Sequence, residues 1–132
     1  MLRVVIDTNV IVSALISPKG NIGKILDLIT DEKLRLCYNP EIMAEYKDVL
    51  SRPRFRFSNE DRESFIQGVE RFGLLVRIPT SSTLLPDEDD RCFYDVARFC
   101  NAILVTGNMK HYPVEPFIVT PTEFLALVQT QP

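Results

Sequence analysis

Short apolar runs alternate with helix-period segments along the chain, and this alternation restricts the fold more than any other feature. Residues 3–6 (RVVI), 34–38 (LRLCY), 74–78 (LLVRI), 102–106 (AILVT) and 117–119 (FIV) read as strands. Between them, NIGKILDLIT (21–30) carries Ile22, Ile25, Leu26 and Ile29 at helical spacing. NPEIMAEYKDVL (39–50) opens with Asn39 as an N-cap and Pro40 at the first helical position. SNEDRESFIQGVERF (58–72) starts on Ser58 with an acidic first turn that suits the helix dipole. A Pro/Ser/Thr-rich loop (79–86) precedes a helix at 89–100, and TEFLALV (122–128) closes as a short helix. Strands separated by helices predict an α/β fold, a parallel sheet covered on both faces.

At 132 residues the chain suits one domain spanning 1–132, and no repeat, linker or low-complexity tract divides it. The apolar share of 45% and charged share of 25% are those of a soluble globular protein. No apolar run approaches the roughly 18–20 residues of a membrane span. MLRVV lacks the features of a signal peptide, so a cytoplasmic protein with no membrane contact is expected. Cys37, Cys92 and Cys100 are odd in number and lack a CxxC pair, which argues for buried thiols over disulfides or a zinc knuckle. The formal charge of −3 confines any nucleic-acid contact to a local patch.

Asp7 stands out, an acid directly after the aliphatic run VVI. Burying an ionised group among such side chains is costly unless partners meet it. In open parallel sheets ligands bind beyond the carboxyl ends of the strands, where Asp7 and TGN (106–108) both fall. On the helix from Asn39, an apolar stripe of Ile42, Tyr46, Val49 and Leu50 adjoins an acidic one of Glu41, Glu45 and Asp48. Glu45 is central enough to lean over the strand ends; Glu41 and Asp48 read as a solvated face. On the helix near Asp89, Phe93, Val96, Ala97 and Cys100 form the buried stripe, Asp90 prolongs its flank toward the sheet, and Asp95 falls on the far side. Capping accounts for Asp87 or Asp89 and less well for Asp90. Asn108 completes the set, with Thr106 placed to orient a carboxylate through its hydroxyl.

Carboxylates brought together repel unless a cation joins them. Oxygen ligands without a nearby His or Cys select Mg²⁺ or Mn²⁺ over zinc, and His111 has no partner at zinc spacing. Such ions on carboxylates serve phosphoryl chemistry. No Ser/His or Cys/His arrangement for nucleophilic hydrolysis is evident.

VVIDTNVIVSAL, EIMAEYKDVLSRPRF, DEDDRCFYDVARFCNAILVTGN and KHYP together resemble the PIN domain, and more narrowly the toxin components of bacterial toxin–antitoxin pairs. The resemblance spans nearly the whole chain. It implies a three-layer α/β/α sandwich around a parallel sheet of about five strands. It also implies metal-dependent endoribonuclease activity leaving a 3′-hydroxyl and a 5′-phosphate. The family's acids carry over onto Asp7, Glu45 and Asp90 as catalytic residues and metal ligands. Asn108 stands where a fourth acid is common, which implies a weaker second metal or a single one. An antitoxin protein and a homodimer enter as partners by the same resemblance.

RNA contact, with a single-stranded or structured substrate, is suggested by SRPRFRF (51–57). There Arg52, Arg54 and Arg56 interleave with Phe55 and Phe57. The alternative is an irregular connection with phenylalanines in the core and solvated arginines. Lys110 and His111 follow the site loop within reach of phosphate. Two rival functions stand beside the nuclease. A haloacid-dehalogenase-like phosphatase needs an acid two residues after Asp7, where Asn9 stands as a loop-orienting amide. A catalytically weakened RNA-binding module is compatible with Asn108.

Overall fold

The computed structural model describes residues 1–129. In chain order the elements are β1 (Leu2–Ile6), α1 (Thr8–Ile16), α2 (Gly23–Thr30), β2 (Leu34–Tyr38), α3 (Pro40–Leu50) and α4 (Asn59–Phe72). β3 (Leu74–Leu75), α5 (Arg91–Phe99), β4 (Ile103–Val105), β5 (Ile118–Val119) and α6 (Pro121–Gln129) follow. The five strands form a parallel sheet in the order β3-β2-β1-β4-β5. The chain builds outward from β1 in one direction, then returns to β1 and builds in the other. The carboxyl ends of β1 and β4, where this reversal falls, flank the crevice in which open α/β sheets bind ligands.

The centre of the sheet is covered on both sides. Val4, Val5 and Ile6 point alternately to opposite faces, yet all three are wholly buried. α5 packs across β1, β2 and β4, while α2 and α4 pack on β2. α5 presents Phe93, Val96 and Ala97, each 0% exposed, and α3 presents Ile42, Tyr46, Val49 and Leu50, all buried. Each fully buried large aliphatic or aromatic side chain contributes about 1.5–3 kcal/mol. The expected caps are in place: Asn39 Oδ1 accepts from Ile42 N–H at 2.8 Å and Ser58 Oγ from Asp61 N–H at 3.0 Å. Between α4 and β3 a Cβ on Gly73 would lie 2.5 Å from the Val69 carbonyl and 2.8 Å from the Tyr38 ring, so only glycine fits.

Four differences from the sequence expectations have physical causes. Residues 8–16 form α1, although no helical period marks them. Thr8, Val10, Ile11, Val12 and Ala14 are all buried, so apolar residues surround the helix and leave no amphipathic stripe. The third strand is shorter than 74–78; Val76 N–H still reaches Tyr38 O at 2.9 Å, but ladder pairing covers only Leu74–Leu75. Cys37 and Cys100 are buried, whereas Cys92 is only partly so.

The fourth concerns Asp95, which is 7% exposed and does not face outward as expected. The Ser81 backbone N–H (3.0 Å) and hydroxyl (2.5 Å) both donate to its carboxylate, and Arg91 Nη1 lies 3.9 Å away. Arg91 also donates to the Ser81 and Thr83 carbonyls, at 3.0 and 2.6 Å. The polar loop 79–86 is thereby tied down over α5.

Candidate metal centre

Asp7 follows the last residue of β1 and occupies the N-cap position of α1, with its side chain making no capping bond. Its N–H donates to Val105 O at 3.0 Å, which seats the residue at the β1–β4 junction. The side chain is 6% exposed. Thr106, wholly buried, donates its hydroxyl to Asp7 Oδ2 at 2.8 Å, and the Tyr112 phenol donates to the same oxygen at 3.0 Å. The Thr106 hydroxyl in turn accepts from Asn108 N–H at 3.0 Å. Two donors on one oxygen hold the carboxylate's orientation.

α3 is registered against the same strand end. The buried Tyr46 phenol donates to Ile6 O at 2.5 Å, and Glu45, one residue earlier, feels the Asp7 charge. Burial first, then the charges of Asp7, Asp90 and Asp89, raise the Glu45 pKa above its ordinary value. Asp90 is pushed up to about 6, first by burial and then by Asp7 and Asp87, while His111 opposes the shift. The Tyr112 phenol is held neutral by burial and by Asp7 and Asp90. Asp7, Glu45 and Asp90 therefore share one repulsive field at the strand ends.

Asp90 also meets His111, whose Nδ1 lies 3.2 Å from Asp90 Oδ2. One ligand atom from each of Asp87, Asp90 and His111 falls within 4.8 Å of the others. Asp87 caps the Asp89 N–H through Oδ1 at 3.0 Å, as expected of it, but it also joins this cluster. Asn108 is half-buried beside Thr106, and Asn9 Oδ1 is buried without a partner among the described residues. Glu45 and Asp90 feel the charge of Asp7, but among the described residues only Asp87, Asp90 and His111 bring ligand atoms within 4.8 Å of one another, so an imidazole stands beside the carboxylates where a set without a nearby His was expected. Such a donor set fits a divalent cation that accepts oxygen and nitrogen.

The arginine strip combines both sequence readings. Phe55 and Phe57 are half-buried, pack on the core and stack on each other at 5.9 Å. Arg52, Arg54 and Arg56 are exposed. Arg54 sits 4.7 Å over the Phe55 ring, and Arg52 pairs with Asp48 at 3.1 Å on the surface. Arg52 also lowers the Glu45 pKa in part. Lys110 is exposed, whereas His111 turns to Asp90 rather than standing free for phosphate.

Tyr112 is the functional candidate that sequence reasoning missed. Its partner lies 105 residues away, and within KHYP nothing distinguishes it from a core aromatic. Tyr112→Phe is expected to leave the fold intact and lower divalent-metal affinity about tenfold, the scale for losing a group that orients a ligand. Calorimetric titration of wild type and variant with Mn²⁺ measures it.

A parallel α/β sheet with an acidic cluster at its switch point is the arrangement of a metal-dependent phosphoryl-transfer domain. Residues 3–110 match the PIN domain family, and the chain belongs to it. PIN domains are in general metal-dependent nucleases. The chain is also 38% identical over 110 residues to an uncharacterized protein of Methanocaldococcus jannaschii. That match covers 81% of this chain and 71% of the relative, whose printed name assigns no activity. Among the described residues no helix is long and apolar enough to cross a membrane.

Proposed function

We propose that the protein is a single-domain, cytoplasmic endoribonuclease using Mg²⁺ or Mn²⁺, and the toxin of a toxin–antitoxin pair. The observation that carries the nuclease reading is the shared field of Asp7, Glu45 and Asp90 around a carboxylate held by Thr106 and Tyr112. Asp7, Glu45 and Asp90, with the Asn108 amide, would hold the ion. Bound there, a divalent cation supplies Lewis-acid polarisation of the phosphodiester and acidifies a water. Thr106 and Tyr112 keep Asp7 oriented, Asn9 orients the loop, and Glu45 and Asp90 would supply negative charge that the ion neutralises. Arg52, Arg54, Arg56 and Lys110 would receive the backbone phosphates of single-stranded or structured RNA. The toxin assignment, an antitoxin that covers the site and a homodimer rest on the family resemblance.

The test is cleavage of a fluorogenic single-stranded RNA with Mn²⁺, with and without EDTA. Cleavage that stops with EDTA is the expected result; EDTA-insensitive cleavage overturns the reading. RNA binding without turnover favours the weakened module, which the neutral Asn108 supports.

Metal binding should carry a pH signature. Asp90 holds its proton more tightly in the folded protein, at about 6, than at its ordinary 3.8. Its contribution to metal-free stability is therefore present below 3.8 and lost as pH rises through about 6. A divalent ion competes with that proton and binds best above it. At pH 7.5, Mg²⁺ or Mn²⁺ at about 100 times its Kd is expected to stabilise the protein by roughly 2.7 kcal/mol. At about pH 5, where Asp90 is protonated roughly ten to one and the apparent affinity falls about tenfold, about half of that gain should vanish; thermal melts with and without metal at both pH values measure it.

A further inference from the structure

The segment SRPRFRF (51–57) follows α3, the helix that carries Glu45, and its backbone is fixed by hydrogen bonds. Pro53 opens a 3₁₀ turn (Pro53–Phe55) in which Phe55 N–H donates to Arg52 O and Arg56 N–H to Pro53 O, both at 3.1 Å. Arg56 closes the turn in the left-handed region, at φ 56°, which is uncommon for a residue with a side chain. The rings of Phe55 and Phe57 lie on each other with centroids 5.9 Å apart and planes 23° from parallel, and both pack against the core.

The three arginines of the segment differ in what they touch. Arg52 is engaged with Asp48 at 3.1 Å. Arg54 and Arg56 are exposed, and neither has a carboxylate within ion-pair distance among the described residues. Arg54 instead lays its guanidinium over Phe55, with Cζ 4.7 Å from the ring centroid. With Phe57 stacked on it and Arg54 over it, the Phe55 ring has no clear face left for a nucleobase. The guanidinium does. It is a flat cation with two faces, one of them on the ring, and the exposure of Arg54 leaves the other to solvent. Guanidinium planes are stacking surfaces for unpaired bases, and the charge stays available to the backbone that carries the base.

We propose that Arg54, supported by Phe55, is a stacking platform for an unpaired RNA base, and that it selects single-stranded over duplex RNA. This rests on the ribonuclease reading for the choice of RNA as ligand. A base inside an A-form helix is covered by its neighbours, whereas a base in a single strand offers its face. Arg56, two residues on and without a carboxylate partner, meets the adjoining phosphate. An acidic peptide would satisfy both charges but has no flat ring to lay on the guanidinium, which favours RNA as the occupant.

Fluorescence anisotropy of the full chain in EDTA, where RNA stays uncut, tests the platform. The probes are oligouridylate, an RNA duplex of the same length, inorganic polyphosphate and polyglutamate. Oligouridylate is expected to bind at least about tenfold more tightly than the duplex. Arg54→Lys keeps the charge and loses the plane. It should weaken oligouridylate binding about fivefold or more, the low end for one stacked base, and leave polyphosphate binding unchanged. The salt dependence should also stay the same, because no charge is removed. Phe55→Leu, with a thermal melt to show that it folds, should weaken oligouridylate in the same direction by withdrawing the ring beneath the guanidinium. Equal losses for oligouridylate and polyphosphate in Arg54→Lys, or no loss for either, overturn the proposal. So do polyglutamate or duplex bound as tightly as oligouridylate, and a failure to bind oligouridylate at all. The nuclease reading is judged separately by cleavage with Mn²⁺. Base-dependent binding without cleavage leaves the platform standing and removes the nuclease; cleavage alongside an Arg54→Lys profile equal to wild type does the reverse.

Discussion

Asp7→Asn is expected to lower metal-dependent RNA cleavage about a thousandfold or more, the scale for deleting a group central to transition-state charge stabilisation. The substitution preserves shape, and the amide oxygen still accepts from Thr106 and Tyr112, so the fold should persist. Only the negative charge is removed. Two measurements separate this outcome from unfolding. Circular dichroism of the variant should match wild type, and the stabilisation by Mn²⁺ should shrink because one ligand of the centre is neutral. A fully active Asp7→Asn protein would sink the assignment of Asp7. A variant that is inactive yet still strongly stabilised by Mn²⁺ would point to a role in catalysis rather than in holding the ion.

The second large effect concerns stability. Asp95→Ala is expected to destabilise the protein by about 3 kcal/mol, because it strips a buried carboxylate from its hydrogen bonds and its cation. The Ser81 N–H and hydroxyl lose their acceptor, and Arg91 loses its inner charge partner while keeping Glu88 at 2.6 Å on the surface. In a domain of this size that loss corresponds to roughly 10 °C in Tm. Ser81→Ala removes only the hydroxyl and should cost about 1 kcal/mol. Urea unfolding of the two variants tests the ranking. Equal, small losses in both would mean that the loop 79–86 contributes little to the native state.

The fold was legible in the sequence wherever an element shows one face to the core and another to water. α3 and α5 are of this kind, and their stripes pack as their spacing indicates. β1 and β4 were legible because an unbroken aliphatic run of that length fits few other structures. α1 was not, since a helix with buried residues on most sides has no polar face to set its period. Asp95 misled for a related reason: helical spacing locates a residue relative to the sheet, but it cannot say that a Ser/Thr-rich loop will fold over the other side. At the site, the placements of Asp7 and Glu45 follow from strand ends and helical stripes. The contacts of Tyr112 and His111 do not. Each depends on how a turn after β4 is aimed at a residue far away in the chain, and no local pattern encodes that.

The strand order has a consequence for synthesis. Asp7 precedes Thr106 by 99 residues and Tyr112 by 105, so the two hydroxyls that hold its carboxylate are made long after it. A nascent polypeptide interrupted before β4 has Asp7 and Glu45 but no neighbour for β1 on that side, and neither hydroxyl. For a protein proposed to cut RNA, the ribosome and messenger producing it stay beside an unassembled centre until the segment carrying both hydroxyls has been made.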